Sequence, residues 1–506
     1  MSVWGGITGC DSEPADETQA TIGRGSPPEL DPAIATEPGD LEALWLVYTP
    51  LLTYRHVGGD EGTELIPGLA AELPEVSGDG RRYSLELRDG LEYSDGTEVK
   101  ASDFESAIDR TLELRPEIAP LYDPIAAIEA DDQSGEIEIE LDRPAPWFLN
   151  VLALVSSAPL AEQAGGASAS EPLAGVGPYE IAVAESDRVV LEHSEVFAGL
   201  GIPEIPIPEI SRITVKAAGD PRARAQSVLD SKLDYSQDPP PAELRPTILE
   251  QADDRFEEYP SSSTAYVWLD KSQPPFDDPL VREAVNRALD KPRLAAISAD
   301  LVTPGCSFLA PAIAGYDEGL DTGDCPYGNP NRAVKLNSAK ALIRQARAEG
   351  ATVSVSDTSI EPFAKLSATY AELLERIGLD SEFPATSAAA ADTGIATTLA
   401  DLPSPVGPFT QVLGPPGATD AIPKPVYDPF LAAEVERLSP APRPEQAAAE
   451  WAALDRYLIA PPQSYVAPFG HRRSTTFVSE RIDPATATLH PVYGNDYSSW
   501  TLKEGE

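Results

Sequence analysis

Apolar residues in this chain come in short bursts, and no run approaches the ~20 that a membrane-spanning helix needs. The expectation is a body that folds in water. At 506 residues it is long enough for two or three lobes rather than one core. An apolar content of 42% and a charged content of 24% are ordinary for such a fold.

The bursts carry two periods. Tyr83–Arg88 and Glu136–Leu141 alternate apolar and polar residues, as half-buried strands do, and Val189–Glu192 and Ile213–Lys216 read as further short strands. Asp-Gly pairs at 79–80, 89–90 and 95–96 mark turns. Ser102 to Glu105 reads as a capping box opening a helix with Phe104, Ile108 and Leu112 on one face. Residues 163–172 have a loop composition. Ala265–Leu269 is a strong strand signal. Beyond it the chain turns helical. Asp278 with Pro279 is a cap and first helical position; Asn337 opens a helix ending near Gly350; Leu366–Ile377 stops at Gly378; Leu431–Leu438 and Glu445–Leu458 follow. The class this predicts is α/β, with short strands and many turns.

The formal net charge is -46, from 83 acidic and 37 basic residues. Such a field repels nucleic-acid phosphates and anionic lipid headgroups, so no nucleic-acid partner is expected. Of three cysteines, Cys10 stands alone, and Cys306 and Cys325 share a Gly/Pro-rich stretch. An odd count in an exported chain suggests one pair and one thiol with a separate task. Ile7-Thr-Gly-Cys10 resembles the lipobox, in which the cysteine becomes lipid-modified, and an acidic, loose stretch follows as a tether. The start of the chain thus reads as the clipped end of a lipoprotein signal.

Six segments, in order, resemble one family. They are Leu30-Asp-Pro32; Val47 to Leu52; Pro67 to Glu72; Leu87 to Thr97 with Ala101 to Phe104; Gly175-Val-Gly-Pro-Tyr179; and Pro275 to Ala284. Through them the chain resembles the extracellular solute-binding proteins of family 5, the oligopeptide- and dipeptide-binding group of ABC importers, in an actinobacterial form. The resemblance implies a periplasmic-binding-protein-like type II (cluster C) fold: two hinged lobes, with an extra subdomain in the first. Residues 1–20 would be signal remnant and tether, 21–262 the first lobe with a subdomain at about 45–170, 263–464 the second lobe, and 465–506 the return to the first. The strands at Ala265–Leu269 and Ser464–Phe469 would be the crossings. The six segments themselves read as scaffold, with Gly175 and Gly177 allowing tight turns beside Pro178.

The same resemblance implies peptide capture outside the membrane and delivery to a permease driven by an ATPase, by a monomer anchored through Cys10 to the outer face of the cell membrane. A buried peptide ammonium needs a carboxylate partner. The family places it in a W-x-x-D stretch, which here reads Thr398-Leu-Ala400-Asp401. Asp401 is then the ligand carboxylate, Thr398 stands where the family has Trp, and Tyr48 is a further candidate for the cleft wall. Cys306 and Cys325 resemble a disulfide loop of the actinobacterial relatives. A non-peptide solute, such as a metal chelate or an oligosaccharide, and a signalling or adhesion role for a surface lipoprotein are the alternatives.

No catalytic residue is expected. The four histidines are scattered, with no H-E-x-x-H, C-x-x-C, G-x-S-x-G or G-x-x-x-x-G-K-[ST] pattern, so neither metal nor cofactor is expected.

Overall fold

The computed structural model describes residues 18–503 except 27, 36, 116–117, 162–171, 299–300, 333, 335, 357–362, 384–390, 399–402, 414–425, 427 and 440–443. Cys10, the loop expected at 163–172 (all but its last residue), Ala400 and Asp401 therefore lie outside the described residues.

The chain is α/β and builds three main sheets. The first has five strands in the order Tyr235–Ser236, Gln19–Arg24, Arg212–Ala217, Arg188–His193, Tyr179–Ala184. Gln19–Arg24 runs parallel to Arg212–Ala217 in unbroken register, Gln19 opposite Arg212. Gln19 and Ala20, read from sequence as the end of the tether, already belong to this strand.

The second sheet, Glu75–Val76, Arg82–Glu86, Glu136–Leu141 and Ile125–Asp131, is antiparallel. Its alternation sends Tyr83, Leu85, Ile137 and Ile139 into the core, against the helix Ala101–Leu114, whose Phe104 and Ile108 are also buried. That helix begins one residue before the expected cap. Asp132 accepts both the Ser102 N–H (2.9 Å) and the Ser102 hydroxyl (3.0 Å). The residue that reaches back to the chain before the helix is Asp103, which accepts the Lys100 N–H at 2.9 Å. The capping box expected on Ser102 and Glu105 is thus shifted.

The third sheet holds Val302–Pro304, Val466–Phe477, Phe256–Leu269 and Thr393–Thr397. Both faces of its longest strand are covered where the sequence is continuously apolar. Ala265, Val267 and Leu269 join a core with the helices Pro279–Ala288, Leu336–Ala346 and Phe363–Ile377. Tyr266 and Trp268 face the opposite layer, where Tyr266 meets Phe308 edge-on at 5.3 Å and Phe409 stacks on Trp451 at 5.5 Å. Asp278 caps its helix, accepting the Leu280 N–H at 2.8 Å. The helix expected to reach Gly350 stops at Ala346. Arg347 turns left-handed (φ 57°), and the Ala348 N–H closes back on the Ile343 carbonyl at 3.0 Å, a termination motif usually built on glycine. The last expected helix begins as a 3-10 turn, Pro444–Ala447, and is α-helical over Ala448–Ile459.

Four of the six segments, Val47 to Leu52, Pro67 to Glu72, Leu87 to Thr97 and Gly175 to Tyr179, brace one another. Arg88 donates to the Gly68 carbonyl at 2.8 Å; the Ser94 N–H donates to the Gly175 carbonyl at 3.0 Å. Neither Gly175 nor Gly177 has positive φ among the described residues. They serve close approach rather than a turn. A Cβ on Gly177 would sit 2.4 Å from the Leu46 carbonyl oxygen, and one on Gly175 would sit 2.4 Å from that of Val47. Arg282 clamps the start of the second crossing, donating to the carbonyls of Gln463 (2.7 Å) and Pro462 (3.2 Å).

Candidate functional site

Two strands connect the sheets of the two lobes. Phe256–Leu269 and Val466–Phe477 run antiparallel from Phe256 opposite Phe477 to Trp268 opposite Val466. The first runs through the position where sequence placed one lobe boundary, between 262 and 263, and the second begins just beyond the other, placed between 464 and 465. At the first-lobe end Phe256 and Phe477 meet edge-on at 6.1 Å, and Tyr235 of the first sheet bridges to Val478. At the second-lobe end the pair is flanked by Thr393–Thr397 and Val302–Pro304.

The register breaks between them. Pro260 pairs with Arg473 and Thr264 with His471, so Ser261, Ser262 and Ser263 face Arg472 alone. A bulge of this kind bends the strand and re-aims side chains, and such bulges concentrate beside functional sites.

Thr398 belongs to this bulge. Its N–H donates to the Thr264 carbonyl at 2.9 Å. Its hydroxyl accepts the Thr264 N–H at 2.8 Å, and its carbonyl accepts the Ser263 hydroxyl at 2.8 Å. It is 3% exposed, and its polar atoms hold two strands together. Tyr48 is elsewhere. It is 1% exposed, packed under Gly175, and its hydroxyl donates to the Leu173 carbonyl at 2.8 Å. In this conformation it is a packing residue of the first lobe and presents no open face.

On the second-lobe side of the bulge lies a buried polar cluster that the sequence did not announce. Thr264 Oγ1 and His471 Nδ1 are 2.8 Å apart, and His471 Nε2 lies 2.8 Å from Asp321 Oδ2. Asp321 also accepts the Cys306 N–H (2.5 Å), the Ser307 N–H (3.1 Å) and the Tyr316 hydroxyl (2.9 Å). Burial pushes its carboxyl up, but the bond and charge of His471 and the two N–H groups outweigh that and hold it below its ordinary value. Asp455 grips the same loop through the Ser307 hydroxyl and the N–H groups of Phe308 (2.9 Å) and Leu309 (3.1 Å). Burial dominates there and raises its pKa to about 6. The Lys291 ammonium donates to the Gly305 carbonyl at 2.9 Å, and burial lowers its pKa to about 7 against the pull of Asp321. Cys306 and Cys325 are joined as a disulfide, with Cα atoms 5.9 Å apart. The loop it closes carries Asp321, which bears on the hinge strand through His471.

A second histidine cluster has a different character. His56 Nδ1 meets both Asp496 Oδ2 (2.7 Å) and Ser498 Oγ (3.2 Å), and the ring stacks on Trp45 at 4.1 Å. Serine and carboxylate share one ring nitrogen, so the trio lacks the arrangement in which a base takes a proton on one nitrogen while a carboxylate holds the other. It pins the C-terminal segment to the first lobe. Among the described residues no group of three His, Cys, Asp or Glu side chains is placed to hold a metal ion, and no helix is long and apolar enough to cross a membrane.

The chain resembles known proteins in sequence and in shape. It is 30% identical over 270 residues to the glutathione-binding protein GsiB of Escherichia coli O1:K1, an alignment covering 52% of this chain and 51% of that protein. The chain thus spans about half the length of the curated relatives it matches. Its fold superposes on the clavulanic acid biosynthesis oligopeptide binding protein 2 with a TM-score of 0.79 at 19% identity, covering 96% of each chain. It superposes on the Helicobacter pylori periplasmic binding protein DppA in complex with the peptide STSA with a TM-score of 0.75 at 18% identity, over 96% of this chain and 98% of that one. These likenesses show the two-lobed α/β architecture. The sequence model described as "Bacterial extracellular solute-binding proteins, family 5 Middle" matches residues 64–400. That match covers more than half of the chain and takes in four of its six scaffold segments whole, so the chain belongs to the bacterial extracellular solute-binding proteins of family 5.

Proposed function

We propose that this protein captures short peptides outside the cell membrane, encloses them between its two lobes, and hands them unaltered to an importer. The observation that carries the reading is the two-strand hinge with a bulge at its centre, in a chain of this family. Two connections of limited width let rigid lobes rotate about them, and closure on a ligand is a hinge motion. The name of the glutathione-binding relative makes glutathione, a tripeptide with a free ammonium and free carboxylates, one ligand to try first.

The lobes would comprise residues 21–262 with 465–506, and residues 263–464, with a subdomain at about 45–170. Asp401, three residues beyond Thr398, would receive the peptide ammonium. Cys10 would carry the lipid that holds the protein at the outer face of the membrane. A permease and its ATPase would be the partners, and the protein would act as a monomer. Nothing in this reading calls for catalysis.

Calorimetric titration with peptides of two to five residues, glutathione among them, tests the proposal. Asp401→Asn is expected to weaken binding of a peptide with a free N-terminus by about tenfold or more, and to leave its N-acetylated form nearly unaffected. Equal losses for both forms would remove Asp401 from its assigned role. Absence of binding by every peptide would overturn peptide capture.

A further inference from the structure

In a chain with 83 acids and 37 bases, carboxylates are the expected lining of any pocket. The larger groove, on the second sheet, conforms: Glu86, Glu129, Glu136 and Glu138 are among its walls. A smaller cavity of about 320 Å³ does not. No Asp or Glu lines it among the described residues, whereas Arg287, Lys291 and Arg332 all do, with Tyr327, Asn329 and Ser338. Its lining residues all belong to the second lobe and none to the hinge strands, so one lobe alone builds it.

Its cations are incompletely satisfied. Arg332 is exposed. Its backbone N–H donates to the Asn329 carbonyl at 3.1 Å, but no ion pair or hydrogen bond occupies its guanidinium among the described residues. Arg287, on the helix Pro279–Ala288, donates through Nε to Glu283 at 2.7 Å and stands over the Tyr327 ring at 5.9 Å. The terminal nitrogens of its fork have no hydrogen bond among the described residues. Lys291 opens the next helix, Lys291–Ile297. It is 5% exposed and spends one of its ammonium donors on the Gly305 carbonyl at 2.9 Å. Burial makes it a weak base, with a pKa of about 7 against the more distant pull of Asp321, and an anion nearby would favour its charged form. The helix Leu336–Ala346 brings Ser338 of its first turn to the cavity, and with it the positive end of a helix dipole.

Set against Glu283, these groups leave an excess of positive charge facing one cavity. Cations drawn out of water without full counter-charge are unfavourable, and a bound anion relieves that. The volume is that of a small-molecule site. Several cations around one space suit a doubly charged oxyanion better than a single carboxylate, and arginine forks take its oxygens in pairs. We infer that this cavity binds a phosphate dianion, either the free ion or the monoester of a small molecule. The site goes beyond peptide capture and does not depend on it.

Equilibrium dialysis of the intact protein against radiolabelled inorganic phosphate and glycerol 3-phosphate tests it, in low salt at about pH 7, where phosphate monoesters are mostly dianions. Wild type is expected to bind at least one probe with a Kd of ~1 mM or below. Arg332→Gln, an exposed change that should leave the melting temperature in place, is expected to weaken that binding about tenfold, and Arg332→Glu to abolish it. Should either variant fail to fold, Arg287→Gln makes the same comparison. Tighter binding of inorganic phosphate assigns the cavity to the free ion, and tighter binding of glycerol 3-phosphate assigns it to a phosphorylated small molecule. Retention of neither probe by wild type, or retention undiminished in the folded variants, overturns the inference. Peptide capture is read in its own titration and stands or falls separately.

Discussion

His471 Nδ1 lies 2.8 Å from Thr264 Oγ1, a side-chain bond across the two hinge strands at the edge of their bulge. The other ring nitrogen meets Asp321 at 2.8 Å, so the disulfide-closed loop bears directly on the hinge. His471→Ala would leave a buried carboxylate and a buried hydroxyl without this partner. Chemical denaturation should show a loss of about 2–4 kcal/mol. The Asp321 carboxyl is held below its ordinary value of 3.8. Its contribution is therefore present above that pH and lost as pH falls through the lower folded value. A variant as stable as wild type at pH 7 would show that the bond does not brace the hinge.

Lys291 and Asp455 act with the opposite sign to ordinary ion pairs. Burial makes Lys291 a weaker base, its pKa lowered to about 7 from 10.5. Between those values the unfolded chain binds more protons than the folded one, so stability rises with pH. From pH 7 to pH 9 the gain is at most about 3 kcal/mol, and Lys291→Met should lack it. For Asp455, with its pKa raised to about 6 from 3.8, the folded chain binds more protons between those values. Stability should fall as pH rises from 4 to 6, and Asp455→Ala should lose that slope along with its grip on the 307–309 loop. Urea titrations at stepped pH, wild type beside each variant, check both slopes.

Much of the scaffold could be read without coordinates, and the reason is local. Glu136–Leu141 alternates because one face is wet, and the structure gives a strand with those bounds. Asp278 before Pro279 makes a cap wherever the chain goes next. The buried cluster had no such local cause. His471, Asp321, Lys291 and Asp455 are polar residues that sequence treats as surface, and His471 and Asp321 stand 150 positions apart. Asp321 sits in an acidic turn, Asp317 to Asp324, that reads as solvated. Gly175 and Gly177 were visible as a motif, but their reason, backbone lying against Leu46–Tyr48, is tertiary. Tyr48, an aromatic read as a candidate for the cleft wall, is enclosed by that same contact in this conformation.

Gly177→Ala probes that contact. A Cβ there would stand 2.4 Å from the Leu46 carbonyl oxygen and 2.7 Å from the Val47 carbonyl carbon, both backbone atoms that cannot swing aside. The expected loss is about 1–3 kcal/mol, read as a lower urea midpoint. Gly199→Ala, where an added Cβ meets nothing within 4 Å, is the control.

The second sheet sets like charges opposite one another, with Glu86 and Asp131 both against Glu136, and Glu129 against Glu138. Cross-strand repulsion of this kind destabilises, and salt screens it. Glu136→Lys should stabilise the protein by about 0.2–1 kcal/mol, and the gain over wild type should shrink at 1 M NaCl. A gain that does not depend on salt would point to packing instead of charge.

The account stands on capture without chemical change, and native mass spectrometry of the protein taken directly from cells addresses that claim most directly. The predicted spectrum shows a mass excess of a few hundred daltons that denaturation releases as an intact peptide. A spectrum at the bare chain mass even after incubation with peptides, or recovery of the added peptide only as fragments, would contradict it.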